Sequence, residues 1–135
     1  MKVVEVKTTD NKTRYYLADD AGVPVEPVLM YLKFMDDAGY ARNTLRMHCI
    51  HLKHYFTFLL ETDRNFEKAT VDTLARFTGW LKNPDIGKRI IPLRLEPAHK
   101  AQTINANLDT VIAFYRYLLM HEGMENHLSE KLVKF

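Results

Sequence analysis

The chain has 135 residues, 47% hydrophobic and 27% charged, which is room for one ordinary domain with a real core and excludes wholesale disorder. The net charge of +2 is uneven: residues 1–40 carry five Lys/Arg against seven Asp/Glu (−2), while residues 41–135 carry fourteen against ten (+4), which points to an anionic partner for the second part. A single cysteine, Cys49, excludes an internal disulfide, and there is no apolar run of membrane-spanning or signal-peptide character, so the chain reads as a protein of the reducing cytoplasm.

The N-terminus offers two β-prone runs, Val3 to Lys7 and Thr13 to Leu17, around a turn-like Thr-Asp-Asn-Lys. That pattern predicts a β-hairpin, which must lean on the body or pair with another copy because two strands alone are marginal in water. Asp19, Asp20, Gly22 and Pro24 form a breaker cluster, and the division expected is a hairpin extension over 1–20 and a helical domain over 21–135. The first helix, "EPVLMYLKFMDDAG", carries a Val28, Leu32, Met35 stripe and ends at Gly39.

The second helix spans residues 42–61, with Asn43 as its expected N-cap. Leu45, Cys49, Leu52, Phe56 and Leu59 recur at spacings of 4, 3, 4 and 3, which defines one buried face. The third helix, about 70–82, begins at Thr70 with Thr73 three residues on, and Val71, Leu74, Phe77 and Leu81 line its inner side with Trp80 on the flank. A proline-rich loop follows, carrying Lys88, Arg89 and Arg94. The fourth helix, about 100–122, repeats Ile104, Leu108, Val111, Tyr115 and Leu118 and ends at Gly123, and a tail helix is expected near 126–133.

The segment "RNTLRMHCIHLKHYFTFLL" concentrates three histidines, a cysteine and three cations on the second helix. Each step of three residues turns a helix by about 300°, so His48, His51 and His54 drift over roughly 120° and do not converge. Zinc on a helix takes His at i and i+4, so no metal site is expected; the histidines read as solvated and Cys49 as core. Arg42, Arg46 and Lys53 lie within about 40° of one another and form a basic flank. On these residues alone a solvated charged face is the simpler reading.

The start of the fourth helix, "HKAQTINANLDT", shifts the balance. Lys100, Gln102, Thr103, Asn105 and Asn107 all donate or accept hydrogen bonds, and capping accounts for only one of them. Asn and Gln can pair with adenine, Arg and Lys with guanine or phosphate, and a helix N-terminus itself attracts phosphate. There is no glycine-rich phosphate loop, no carboxylate pair and no serine nucleophile motif; Ser129 is the sole serine. No cofactor, no small-molecule substrate and no catalytic residue is expected.

Two motifs together carry a family resemblance. "RNTLRMHCIHLKHYFTFLL" resembles the first conserved helix of the tyrosine recombinases, the phage-integrase family, where Thr and an apolar residue precede Leu-x-x-Phe-x-x-Phe-Leu. "KAQTINANLDTVIAFYRYLLMHEG" resembles that family's later helix, Thr-Ile-Asn-x-x-Leu-x-x-Ile/Leu-x-x-Phe-Tyr-x-x-Leu, and "YLADDAGVPVEPVLMYLKFMDDAG" looks like the leader and first helix of transposon-type members. The match covers about residues 16–125. It implies a mainly α fold, a four-helix (SAM-like) orthogonal bundle preceded by the N-terminal β-hairpin. It also implies the role of core-binding domain, one half of a C-shaped clamp on the double-stranded DNA of a recombination site, alongside other recombinase protomers.

By the same resemblance Arg42, Asn43, Thr44, Arg46 and Met47 on the second helix, and Gln102, Thr103, Asn105, Ala106 and Asn107 on the fourth, face the DNA. Lys53 and Lys100 fit as phosphate partners, and Lys88, Arg89 and Arg94 are available to phosphate or to a neighbouring protomer. Three features depart from the family pattern. Its catalytic domain would lie beyond residue 135, the hairpin over 1–17 has no counterpart, and the loop after the third helix is long. The rival readings are a helical protein-interaction module and a regulatory DNA-binding protein without any catalytic domain. The expected bundle occupies residues 24–122, with Leu52, Phe56, Leu108, Val111, Tyr115 and Trp80 inside.

Overall fold

The computed structural model describes residues 1–83 and 100–121. Strands β1 (Lys2–Lys7) and β2 (Thr13–Ala18) are followed by helices α1 (Glu26–Asp37), α2 (Arg42–Glu61), α3 (Val71–Lys82) and α4 (Ala101–His121), with a 3₁₀ turn at Phe66–Lys68. The fold is mainly helical with an N-terminal antiparallel hairpin, as the sequence leads one to expect. The tail helix near 126–133, the Gly123 cap and the loop cations Lys88, Arg89 and Arg94 lie outside the described residues.

The hairpin pairs Lys2 with Ala18 through to Lys7 with Thr13. Its turn is tied by the Thr8 N–H to the Lys12 carbonyl (2.9 Å), and Asn11 takes the left-handed conformation (φ 63°) that its short polar side chain tolerates. β2 is the inner strand: Leu17 and Ala18 are fully buried, and Arg14 is held to Asp36 of α1 at 2.7 Å. The hairpin therefore leans on the helices and contributes Leu17 to the same core. The chain then turns around Asp19, whose Oδ1 accepts from the Ala21 and Val23 N–H groups at 2.9 Å each, with Gly22 at φ +82°.

Val28, Leu32 and Met35 of α1 are buried as their spacing predicts, and Gly39 (φ +91°) follows the helix end with its N–H on the Asp36 carbonyl. α2 is the central helix: Leu45, Cys49, Leu52, Phe56 and Leu59 all face inward. It spans the expected residues, but its cap differs. Ala41 is the flanking extended residue with no side-chain cap, so Asn43 lies inside the first turn and does not cap it. α3 has the anticipated reciprocal capping of Thr70 and Thr73. Val71 is 51% exposed, against the inner position expected of it; Thr73 takes the inner side of that first turn because its hydroxyl is satisfied by the Thr70 N–H (3.0 Å).

The core is dominated by rings. Tyr55, Phe58, Phe77, Phe114 and Tyr115 are at most 1% exposed, with Tyr55 packed edge-on to both Phe77 and Tyr115. Burying two phenols needs partners for their hydroxyls. The Tyr55 and Tyr115 hydroxyls lie 2.6 Å apart, and Tyr115 donates onward to the Phe66 carbonyl (2.7 Å), which fastens the 3₁₀ turn to α2 and α4. Burial pushes the Tyr55 phenol up to about 12, so this chain stays protonated. Val111 is fully buried, while Leu108 and Trp80 are half-buried, the indole N–H of Trp80 reaching Glu61 at 2.8 Å.

Candidate nucleic-acid interface

The first turns of the four helices differ in charge. α1 opens with Glu26 and α3 with Asp72, the usual complement to the partial positive charge of a helix N-terminus. α2 and α4 have no acidic residue in the first turn. α2 instead opens with Arg42 and Arg46, and Lys100 stands just before α4, so backbone N–H groups and cations accumulate at the two starts. Among the described residues Arg42, Arg46, Lys53 and Lys100 make no ion pair, whereas Arg14 and Arg76 are committed to Asp36 and Asp72.

Of the candidate contact residues, Arg42, Asn43, Arg46 and Met47 are exposed on α2 and Thr44 and Lys53 are half-buried; on α4 Lys100, Gln102, Thr103 and Asn105 are exposed and Ala106 is half-buried. Asn107 differs from the expectation. It is fully buried, its Nδ2 donates to the Thr103 carbonyl (2.8 Å), and its Oδ1 lies 2.8 Å from His54 Nδ1. An Asn is accommodated inside this helix because both ends of its amide are engaged, and it belongs to the interior of the bundle.

The histidines also depart from expectation, since none is simply solvated. His51 is 6% exposed and shares a 2.7 Å hydrogen bond with the Thr110 hydroxyl. His48 is half-buried with its Nδ1 3.0 Å from the Tyr31 hydroxyl, and His54 is held at Asn107. Burial pushes the His51 imidazole down to about 4, helped by the neighbouring His48 and His54, and burial lowers His48 as well. Among the described residues no three His, Cys, Asp or Glu side chains are grouped to hold a metal ion. Cys49 is fully buried and its thiol is pushed up to about 12 by that burial, so it is an inert core residue.

His51 and His54 thus form a polar seam between α2 and α4, while His48 bonds to α1. Counting only apolar residues as inward-facing misses it. The available signal was the spacing: His51 and His54 are three apart on α2, and Asn107 and Thr110 are three apart on α4. The seam matters to the candidate surface because Met47 stands one turn before His51 and Thr103 one turn before Asn107. The pairing is antiparallel, His51 with Thr110 and His54 with Asn107, so the two starts leave opposite ends of the seam, Met47 about 6 Å before His51 and Thr103 about 6 Å before Asn107.

A helical bundle of this order, with two helix starts that lack an acidic residue, agrees with the comparison to known families. Residues 30–123 match the phage integrase N-terminal SAM-like domain, and the chain belongs to that family. It is similar to transposase A from transposon Tn554 of Staphylococcus aureus strains Mu50 and N315, at 31% identity over 121 residues. That alignment covers 87% of this chain and 33% of the relative, so the chain spans about a third of the length of the curated relatives it matches. No solved structure is a significant match. Among the described residues no helix is long and apolar enough to cross a membrane.

Proposed function

We propose that this chain is the core-binding part of a site-specific tyrosine recombinase of a mobile element and that it grips double-stranded DNA with the starts of α2 and α4. The observation that supports the reading is the pair of helix starts that have no acidic residue in the first turn and carry exposed cations, Arg42, Arg46 and Lys100, with no ion pair among the described residues. Arg42, Arg46, Lys53 and Lys100 neutralise phosphates and supply the affinity, in exchange for released counterions. Asn43, Thr44, Met47, Gln102, Thr103, Asn105 and Ala106 meet base edges or the sugar-phosphate backbone. Lys88, Arg89 and Arg94 extend the positive surface or meet a neighbouring protomer.

In this reading the chain binds DNA without cutting it, strand cleavage belongs to another part of the protein, and the work is done in the cytoplasm. The hairpin over 1–20 is an extension braced on the helical domain of 21–135. The relative's designation as a transposase agrees with a role on the DNA of a mobile element. The test is fluorescence anisotropy of a labelled mixed-sequence duplex at increasing salt. Affinity should fall steeply and linearly on a log-log plot. Binding that is absent at low salt, or indifferent to salt, contradicts the proposal and favours a protein-interaction module.

A further inference from the structure

Asn107, which the family resemblance would put against DNA, is shut inside the protein, and its amide has a definite orientation. Nδ2 donates to the Thr103 carbonyl at 2.8 Å, so Oδ1 is the atom that faces His54. Turning the amide over would set oxygen against oxygen at Thr103. Because Oδ1 only accepts, His54 Nδ1, 2.8 Å away, must carry the hydrogen. One turn along, His51 and Thr110 make the second link of the seam at 2.7 Å. Most other buried contacts between α2 and α4 are made by rings and aliphatic chains, which tolerate sliding; the directional bonds of His54 and Asn107 do not.

We propose that Asn107 and His54 are positioning residues for the DNA interface: their hydrogen bond sets how the start of α4 lies against α2, and so fixes the spacing between the two groups of contact residues. The inference rests on the DNA-binding reading above. Thr103, the outermost candidate contact on α4 to be tied directly into this network, is held through its own carbonyl by Asn107. Asn107 thus orders the surface from beneath without touching the nucleic acid, and residues of this kind act by pre-organising a site.

The test compares wild type with Asn107→Leu, His54→Leu and His54→Gln in the 135-residue chain. Each is examined at a temperature where its far-ultraviolet circular dichroism is native, with the labelled mixed-sequence duplex at several salt concentrations. The two leucine variants should each lose about fivefold or more in affinity, because one directional bond is gone. His54→Gln keeps a donor for Asn107 Oδ1 and should bind within about twofold of wild type. The salt slope should stay at the wild-type value in all three, since no phosphate contact is removed.

Affinity per folded molecule that is unchanged in both leucine variants would reduce the pair to a structural role and overturn the proposal. So would a salt slope that falls by about one in Asn107→Leu, which would make Asn107 a contact. If Asn107→Leu does not fold, the His54→Leu and His54→Gln pair decides alone: equal affinity of the two overturns the inference. Wild-type protein that shows no salt-dependent binding removes the DNA-binding reading itself and this inference with it, an outcome distinct from the other two.

Discussion

Acid should weaken the fold through His51, and the size of the effect can be worked from its surroundings. The ring is 6% exposed, its hydrogen bond is to the neutral Thr110 hydroxyl, and its folded pKa is pushed down from 6.5 to about 4 by burial first and by His48 and His54 second. A depressed histidine binds fewer protons folded than unfolded, so its contribution is full above the unfolded value of 6.5 and drains away as pH falls toward 4. Each tenfold change in proton affinity is worth about 1.4 kcal/mol, so the ceiling is about 3 kcal/mol, a large share of a typical domain's 5–15 kcal/mol. Urea denaturation of wild type and His51→Gln at about pH 7.5 and about pH 4.5 measures it. Wild type should lose about 2–3 kcal/mol more between the two conditions than the variant does. Equal losses would refute the reasoning, because the burial of a neutral ring at the seam would then have no proton-linked cost.

Other outcomes follow from the same contacts. Leu52 is fully buried at the centre of α2, and Leu52→Ala should cost about 2–5 kcal/mol in urea denaturation. Tyr115→Phe removes the hydroxyl that joins Tyr55 to the Phe66 carbonyl and should cost about 1–2 kcal/mol, read by the same transition. Arg46→Ala and Lys100→Ala should each lower the salt slope of duplex binding by about one while leaving the melting temperature within a degree or two of wild type. Replacing His48, His51 and His54 together by Gln should destabilise the protein, since all three rings hold internal hydrogen bonds.

The helices were legible because their apolar stripes are long and regular. Leu45 through Leu59 on α2 and Ile104 through Leu118 on α4 could hardly be read otherwise, and Thr70 with Thr73 announced the start of α3. The hairpin was legible from its alternating β-branched and aromatic residues, yet nothing local says that Leu17 would be completely enclosed by the helices. The polar seam was not legible for a related reason. Whether a histidine or asparagine on the edge of a stripe faces water or a partner depends on the crossing of two helices about 50 residues apart in the chain. Asn107 and His51 look like surface residues one at a time and become interior residues only as pairs with His54 and Thr110. The same reasoning explains Val71, whose apolar side chain lost the inner position to the capped Thr73.

The central claim is that the starts of α2 and α4 form the DNA-binding face. Titrating the isotope-labelled chain with a mixed-sequence duplex and following its backbone amide resonances tests it most directly. The amides of Arg42–Met47 and of Ala101–Ala106 should shift progressively and together, while those of β1, β2 and the outer face of α1 stay where they are. Shifts centred on the hairpin or on α1, with the two helix starts unmoved, would contradict the account.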